Sequence, residues 1–330
     1  MKYDIITFGS ATRDTFFKLG EKTNYIVKDL RLIEKKAFHF PLGSKIEADK
    51  IYVFSGGGGT NAAATFAKQG YKAAYFGKVG RDKRGEAIIE ELKKIKVETQ
   101  FIKKDREYPS AYSLIISSPS GERTIFVYRG ASYYLSKKEI PWRKLKAKWF
   151  YLASLSGKSS QVFADIADFA EKNQIKMACN PGSAQINLGL KILKPILQKA
   201  DILILNQEEA ALLAEIPYQK ELAILKKLNK LCPGIIIITK GKEGAVCLDG
   251  KFFYSVPAIR VKIFEKTGAG DAFGSGFLAE YIKTKNVIKS LQFAAANSAF
   301  CIKEIGAKNG LLKRNQRFKR VKVLKAAWLA

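Results

Sequence analysis

Residues 267–277 read Thr267-Gly268-Ala269-Gly270-Asp271-Ala272-Phe273-Gly274-Ser275-Gly276-Phe277. A glycine-rich turn that feeds a helix is a device of α/β folds, and the rest of the chain is read outward from it. A helix starting here presents backbone N–H groups without intrahelical partners, together with the positive end of its dipole. Glycines let an anion approach the main chain without side-chain obstruction, so Gly268, Ala269 and Gly270 read as an anion hole suited to a phosphate. A carboxylate beside an anion site is electrostatically unfavourable unless it serves the chemistry, for example by taking a proton from an attacking hydroxyl. Asp271 is therefore the candidate general base. Alone it would be an ordinary acidic helix-start residue; the glycines around it carry the functional reading.

Short apolar runs at 3–8, 73–76, 149–152, 176–179, 201–205 and 235–239 alternate with amphipathic stretches at 61–69, 84–94, 159–172, 207–214, 222–231, 272–283 and 288–303. Near-continuous apolarity suits strands buried on both faces, which predicts an α/β fold with a mainly parallel, helix-covered sheet. Two segments, about 13–54 and 110–130, break the pattern. In the second, Tyr112 to Ile116 and Arg123 to Tyr128 flank Pro119-Ser120-Gly121 and read as a β-hairpin. Together they suggest a small β lid over a binding cleft. The expected organisation is one domain over 1–310 carrying the lid, followed by a basic tail over 311–330. In that tail Phe318, Val321, Leu324 and Trp328 fall at helical spacing, a stripe expected to pack on the body, with RNA or an anionic surface as the weaker reading.

Composition narrows the function. With 330 residues and 47% hydrophobic content, the chain can bury a large core. No apolar run approaches the roughly 18 residues of a membrane-spanning helix, and the first residues read as a strand rather than a signal, so no membrane role and a cytoplasmic location are expected. Cys179, Cys232, Cys247 and Cys301 are dispersed and read as reduced core thiols; His39, between Phe38 and Phe40, reads as a packed ring. The formal charge of +28 attracts polyanions, but the basic residues are spread along the chain. That distribution favours anionic small ligands over a nucleic-acid partner.

A second glycine-rich stretch, Ser55-Gly56-Gly57-Gly58-Gly59-Thr60-Asn61, follows an apolar run and precedes small residues. Either it is a structural strand-to-helix turn, or Gly56, Gly57 and Asn61 bond ligand hydroxyls. A third cluster, Leu205-Asn206-Gln207-Glu208-Glu209, lies just past a buried strand, where ligands gather in open parallel sheets. Asn206 and Glu209 address Mg²⁺ in the functional reading and cap a helix in the plainer one. Residues 57–62 and 274–279 both satisfy a degenerate dinucleotide pattern. The second match lies inside a helix, and no acidic strand end follows the first at ribose-reading distance. A Walker A loop ending at Gly157-Lys158-Ser159 fails because Leu152 stands where its first glycine belongs.

These pieces, in this order, resemble the ribokinase-like (PfkB) carbohydrate kinase family from the first strand to about Lys308. Gly9 and Asp14 resemble its opening strand and sugar-binding Asp, and Gly56-Gly57-x-Gly59-x-Asn61 its first signature. Gly77-x-Val79-Gly80-x-Asp82-x-x-Gly85 resembles the segment that follows, and Asn206-x-x-Glu209 the magnesium-linked motif. Thr239-Lys240-Gly241-Lys242-Glu243-Gly244-Ala245 is similar to the nucleotide-contacting strand and turn, and Thr267 to Asp271 to the second signature. The resemblance implies a ribokinase-like, doubly wound fold with a β lid, ATP as donor, Mg²⁺, a sugar or nucleoside acceptor held by Asp14, Gly56, Gly57 and Asn61, and Asp271 as base. It further implies that Thr239, Gly241, Gly244 and Asn206 contact the nucleotide, that Asn297 lies near adenine, and that lid strands pair across a homodimer as in some relatives. One departure stands out: Glu265, followed by Lys266, replaces the Asp that often serves a monovalent-cation site, which argues against potassium activation. A nucleoside kinase, with Phe16, Phe17, Phe38 or Phe40 stacking on the base, is the nearest alternative. A nucleic-acid-binding pseudokinase is favoured by charge alone, and intact Asn206, Glu209 and Asp271 argue against it.

Overall fold

A computed structural model describes residues 2–20, 25–29, 36–119 and 122–328. The chain enters as β1 (Tyr3–Phe8) and leaves the main layer for β2 (Thr12–Leu19), the ribbon β3 (Ile26–Lys28) and β4 (Lys36–Phe38), and β5 (Ala48–Gly56). Helix α1 (Gly58–Lys68) returns it to β6 (Ala73–Phe76); β7 (Lys78–Gly80), α2 (Lys83–Lys94) and β8 (Lys103–Asp105) follow. The hairpin β9 (Ala111–Ser117) and β10 (Arg123–Tyr128) precedes β11 (Ala147–Ala153), α3 (Val162–Lys172) and β12 (Lys176–Asn180). Next come α4 (Ser183–Ile186), α5 (Leu190–Leu197), β13 (Ile202–Asn206), α6 (Gln207–Ala214), α7 (Glu221–Leu231) and β14 (Ile235–Thr239). An antiparallel pair, β15 (Ala245–Leu248) and β16 (Phe252–Val256), leads to α8 (Ala269–Thr284), α9 (Val287–Cys301) and β17 (Leu324–Ala327).

The main sheet runs β17-β16-β15-β14-β13-β12-β11-β1-β6, parallel from β14 to β6 and antiparallel beyond β14. Alternate residues of each buried strand feed opposite layers, as the two-residue strand period requires. On one face Phe8, Phe150, Leu203 and Leu205 pack with α3, α5, α6 and α7. On the other, Ile5, Tyr151, Ile202 and Ile204 meet α1, α8 and α9 through Phe66, Phe277 and Leu291. The chain goes from β1 to β6 on one side and then crosses to β11 on the other, so the strand order reverses between β1 and β11. In open α/β sheets the crevice beyond such a reversal collects ligands.

The two segments that break the alternation form one sheet of order β10-β9-β2-β5, with β2 parallel to β9 and antiparallel to β5. The hairpin's turn residues Ser120 and Gly121 lie outside the described residues. His39 is exposed, contrary to the packed ring expected. Alternation explains it: Phe38 and Phe40 share a face and stack on each other, which turns His39 the other way. The four cysteines are buried and free. The tail is not helical. Val321 and Val323 pack inward at a strand period, and β17 pairs with β16 as the outermost strand. The edge of β16 offers unpaired backbone donors and acceptors, and the tail satisfies them by running alongside as a strand. Phe318 does reach the body, packing edge-on against Phe293. Among the described residues no helix is long and apolar enough to cross a membrane.

Candidate active site

The end of β5 and the start of α1 build one wall. Gly56 lies so close to Asp14 that a Cβ there would stand 1.9 Å from Asp14 Oδ2. Gly57 has φ +94°, and its Cβ would meet the Ser10 carbonyl oxygen at 2.4 Å, so the turn seats tightly on the end of β1. Thr7 Oγ1 donates to the Gly59 carbonyl (2.9 Å), and Tyr75 OH to that of Gly9 (2.9 Å). Asp14, on β2, is buried and accepts a 2.7 Å bond from Thr12 Oγ1. Desolvation raises its carboxyl pKa, offset in part by Thr12 and by the charge of Lys308.

The opposing wall is the start of α8. Gly268 is left-handed (φ +83°), and its Cβ would collide with that of Ala307 at 2.4 Å, so no other residue fits without displacing the 306–308 loop. The N-cap Gly268 supplies no side-chain cap to the helix, and the space around Gly270 is open. Asp271 Oδ2 accepts a 2.8 Å hydrogen bond from Asn61 Nδ2, which joins the two turns across 210 residues. The side-chain amide oxygen of Asn61, Oδ1, is buried without a hydrogen-bond partner among the described residues. Desolvation pushes the Asp271 carboxyl above the ordinary aspartate value; Asn61 and Lys308 oppose this, and Asp14 adds to it.

Asn206 and Glu209 form a reciprocal capping box at the start of α6: Glu209 N–H donates to Asn206 Oδ1 (2.7 Å) and Asn206 N–H to Glu209 Oε2 (2.9 Å). The plainer reading of this motif is thus realised, while burial and the charge of Asp271 hold the Glu209 carboxyl above its usual range. Among the described residues no group of three or more His, Cys, Asp or Glu side chains is placed to cage a metal.

A cavity of about 580 Å³ opens beside the start of α8, within the usual size of a small-molecule site. Thr239, Gly241 and Gly244 line it together with Ala269 and Gly270, and Lys242, Arg260 and Lys266 bring positive charge to it. Asn297 is absent from this lining. Fully buried, it donates to the Ala272 carbonyl (2.8 Å) and accepts from the Leu312 N–H (2.9 Å), tying α9 to α8 and to the tail. Its neighbours Ala295, Ser298 and Ala299 line the cavity.

Two functional candidates escaped the sequence. Lys308, 8% exposed, donates to the Ser55 carbonyl (2.6 Å) and Ser55 Oγ (3.1 Å). Burial pushes its pKa down to about 8, against the pull of Asp14, Glu91 and Asp271. Its setting, Gly306-Ala307-Lys308-Asn309-Gly310, reads as an exposed loop, and only packing against Gly268 and Phe54 reveals otherwise. The second is an ion pair between Arg123 of β10 and Glu265. Phe16 is buried edge-on to Phe54, and Phe17 and Phe40 line a separate cavity of about 270 Å³. Phe17 lies on the face of β2 opposite Asp14.

Residues 18–314 match the model of the family described as pfkB family carbohydrate kinase. The chain is 25% identical over 317 residues to an ATP-dependent 6-phosphofructokinase of Thermoanaerobacterium thermosaccharolyticum, covering 93% of this chain and 90% of that protein. It is 26% identical to a ribokinase of Staphylococcus aureus over 79% of this chain and 85% of the relative. Among solved structures it is similar to Arabidopsis thaliana ribokinase complexed with ribose and ATP (TM-score 0.74, 22% identity, covering 95% of this chain and 97% of that one). It is also similar to a nucleoside kinase of Methanocaldococcus jannaschii (TM-score 0.73, 20% identity, covering 94% and 95%).

Proposed function

The chain belongs to the pfkB family of carbohydrate kinases, a phosphotransferase family whose members imply ATP as donor, and on that premise we propose that it transfers the γ-phosphoryl group of ATP to a hydroxyl of a sugar or sugar derivative with Asp271 as base. The observation that carries this reading is the Asn61–Asp271 hydrogen bond. It sets a carboxylate of raised proton affinity beside an open, glycine-lined helix start, at the point where the strand order reverses. A carboxylate whose proton affinity is raised by burial accepts a proton from an attacking hydroxyl more readily than an ordinary aspartate. The N–H groups at the start of α8 stabilise charge on the transferring group, which is where phosphoryl transfer needs help.

Asp14 and Asn61 hold the acceptor. The unpartnered Asn61 oxygen suits a hydroxyl donor, and a buried carboxylate such as Asp14 bonds sugar hydroxyls well. Thr239, Gly241 and Gly244 flank the nucleotide, and the cations along the cavity favour its charge. Glu209 and Asn206 suit a Mg²⁺ held mainly by phosphates and water, because such an ion takes few protein carboxylates. When bound, it would neutralise phosphate charge. The lid leaves Ile51, Val53, Ile125 and Phe126 exposed, an apolar surface that suits a homodimer through the lid. Light scattering behind size exclusion should give twice the 36.7 kDa chain mass, and a monomer would refute this arrangement.

The deciding experiment incubates the protein with Mg²⁺ and labelled ATP against pentoses, hexoses, sugar phosphates, sugar acids and nucleosides, with and without potassium. Acceptor-dependent transfer that is lost in Asp271→Asn while ATP binding persists is the expected result. A nucleoside as the only acceptor would move the assignment to the nucleoside branch. Retained turnover in the variant would remove Asp271 as base. Potassium should not change the rate, since Arg123 already neutralises Glu265.

A further inference from the structure

Glu265 is a carboxylate in the wrong place for comfort: its side chain is 6% exposed, two residues ahead of Thr267. A buried carboxylate requires a counter-charge and full hydrogen bonding. The counter-charge comes from neither its own segment nor the main sheet. Lys266, adjacent in sequence, lines the nucleotide cavity instead. Arg123, the first residue of β10, reaches across 142 residues to place Nη1 on Glu265 Oε1 and, at 3.1 Å, on Thr267 Oγ1. The same Glu265 oxygen accepts from the Thr267 N–H (3.1 Å) and hydroxyl (2.9 Å).

These contacts close a triangle in which guanidinium, carboxylate and Thr267 each touch the other two. Thr267 immediately precedes Gly268, the left-handed residue from which α8 starts. Along β10, Arg123 is half-buried while the residues from Thr124 to Tyr128 stand exposed, so this strand's charged end is what meets the body of the protein.

We infer that Arg123 is a positioning residue that couples the lid to the anion-binding turn, so that the geometry of Gly268 to Gly270 depends on β10 being in place. Displacing β10 strips a buried carboxylate of its counter-charge and removes one of Thr267's partners, and the turn that should receive the phosphate slackens. Acceptor binding under the lid and phosphoryl transfer at α8 are thereby tied together through one ion pair. The functional half of this inference rests on the reading of Asp271 and the α8 start given above; the coupling itself has its own readout.

Hydrogen exchange with mass spectrometry would be measured on peptides covering 262–272, 123–128 and 202–239 in the unmodified protein, Arg123→Gln, Arg123→Lys and Arg123→Gln/Glu265→Gln. Arg123→Gln should speed exchange in 262–272 by about tenfold or more while leaving 202–239 unchanged, the signature of a local opening. The double variant should recover part of the protection, because it no longer buries an unpaired charge. Arg123→Lys, which keeps the charge and loses the planar fork, should fall between. Unchanged exchange at 262–272 in Arg123→Gln, or a double variant no better than Arg123→Gln, would overturn the coupling whatever the acceptor proves to be. With the acceptor in hand, Arg123→Gln should lower kcat by about 10- to 100-fold with the KM for ATP little changed. A change confined to the KM for ATP would overturn the positioning role. Loss of all transfer in the unmodified protein would instead count against the kinase reading, with the exchange result untouched.

Discussion

The two glycine-rich turns look alike in sequence and serve opposite needs. Around Gly57 and Gly59 an added Cβ would strike the Ser10 carbonyl or the Tyr75 ring, at 2.4 and 2.7 Å, so these glycines exist to let α1 seat on the end of β1. Around Gly270 nothing lies within 4 Å, and no side chain of the N-cap Gly268 closes the helix start. The first turn is filled by the protein's own atoms, and the second opens at Gly270 onto free space. The lesson is that a run of glycines shows where the backbone must approach something closely, whereas the identity of that something is a property of the surroundings.

The largest effect should come from the acid group that the open turn exposes. Asp271→Asn is expected to lower turnover by about 10²- to 10⁴-fold, the range of general-base catalysis, with ATP affinity largely kept. Since the base must be ionised and its pKa is raised in the folded protein, kcat/KM should fall as pH drops through a value above the ordinary aspartate 3.8. A pH profile whose acid limb sits at or below that value would break the contrast between the two walls.

The turns themselves offer the next test. Gly57→Ala forces a side chain into a left-handed position against a carbonyl, which should cost about 2–4 kcal/mol in urea denaturation. Gly270→Ala meets open space inside a helix and should leave stability within about 1 kcal/mol while weakening phosphoryl transfer. Equal stability losses would show that both turns are structural.

A further test, which leaves the chemistry untouched, concerns Lys308, buried beside Ser55 of the first wall. Its pKa falls from the ordinary 10.5 to about 8 on folding, so between those values the unfolded chain binds a proton that the folded protein has released. Stability should therefore rise with pH across that window, by up to about 1.4 kcal/mol per pH unit, relative to Lys308→Met. Below pH 8 the difference between the two proteins should be flat. A difference that falls with rising pH would mean that Lys308 is stabilised as a cation.

Local signals were legible where a single segment decides its own conformation. The strands β6 and β14 and the helix α6 begin and end where the apolar period and the Asn206 cap place them. That Asn297 ties α9 to α8 instead of lining the cavity was not legible, for a related reason. Helix α9 is apolar on nearly every side, so its pattern marks burial without saying which residue faces the cavity. The tail shows a similar ambiguity: Phe318, Val321 and Leu324 fit a helix, Val321 and Val323 fit a strand, and the free edge of β16 settles the matter. His39 escaped because its burial depends on which face of a three-residue ribbon its neighbours take.

By itself the sequence determined the layered α/β character, the glycine turns and the carboxylate at the start of a helix. Backbone sterics, side-chain period and capping all act within a few residues. Only the tertiary structure decided that Asn61 meets Asp271 across 210 positions and that Arg123 neutralises Glu265 across 142. Those meetings depend on the strand order that reverses between β1 and β11 and on the lid sheet folding back over it, arrangements fixed by burial of whole surfaces instead of by any local stretch.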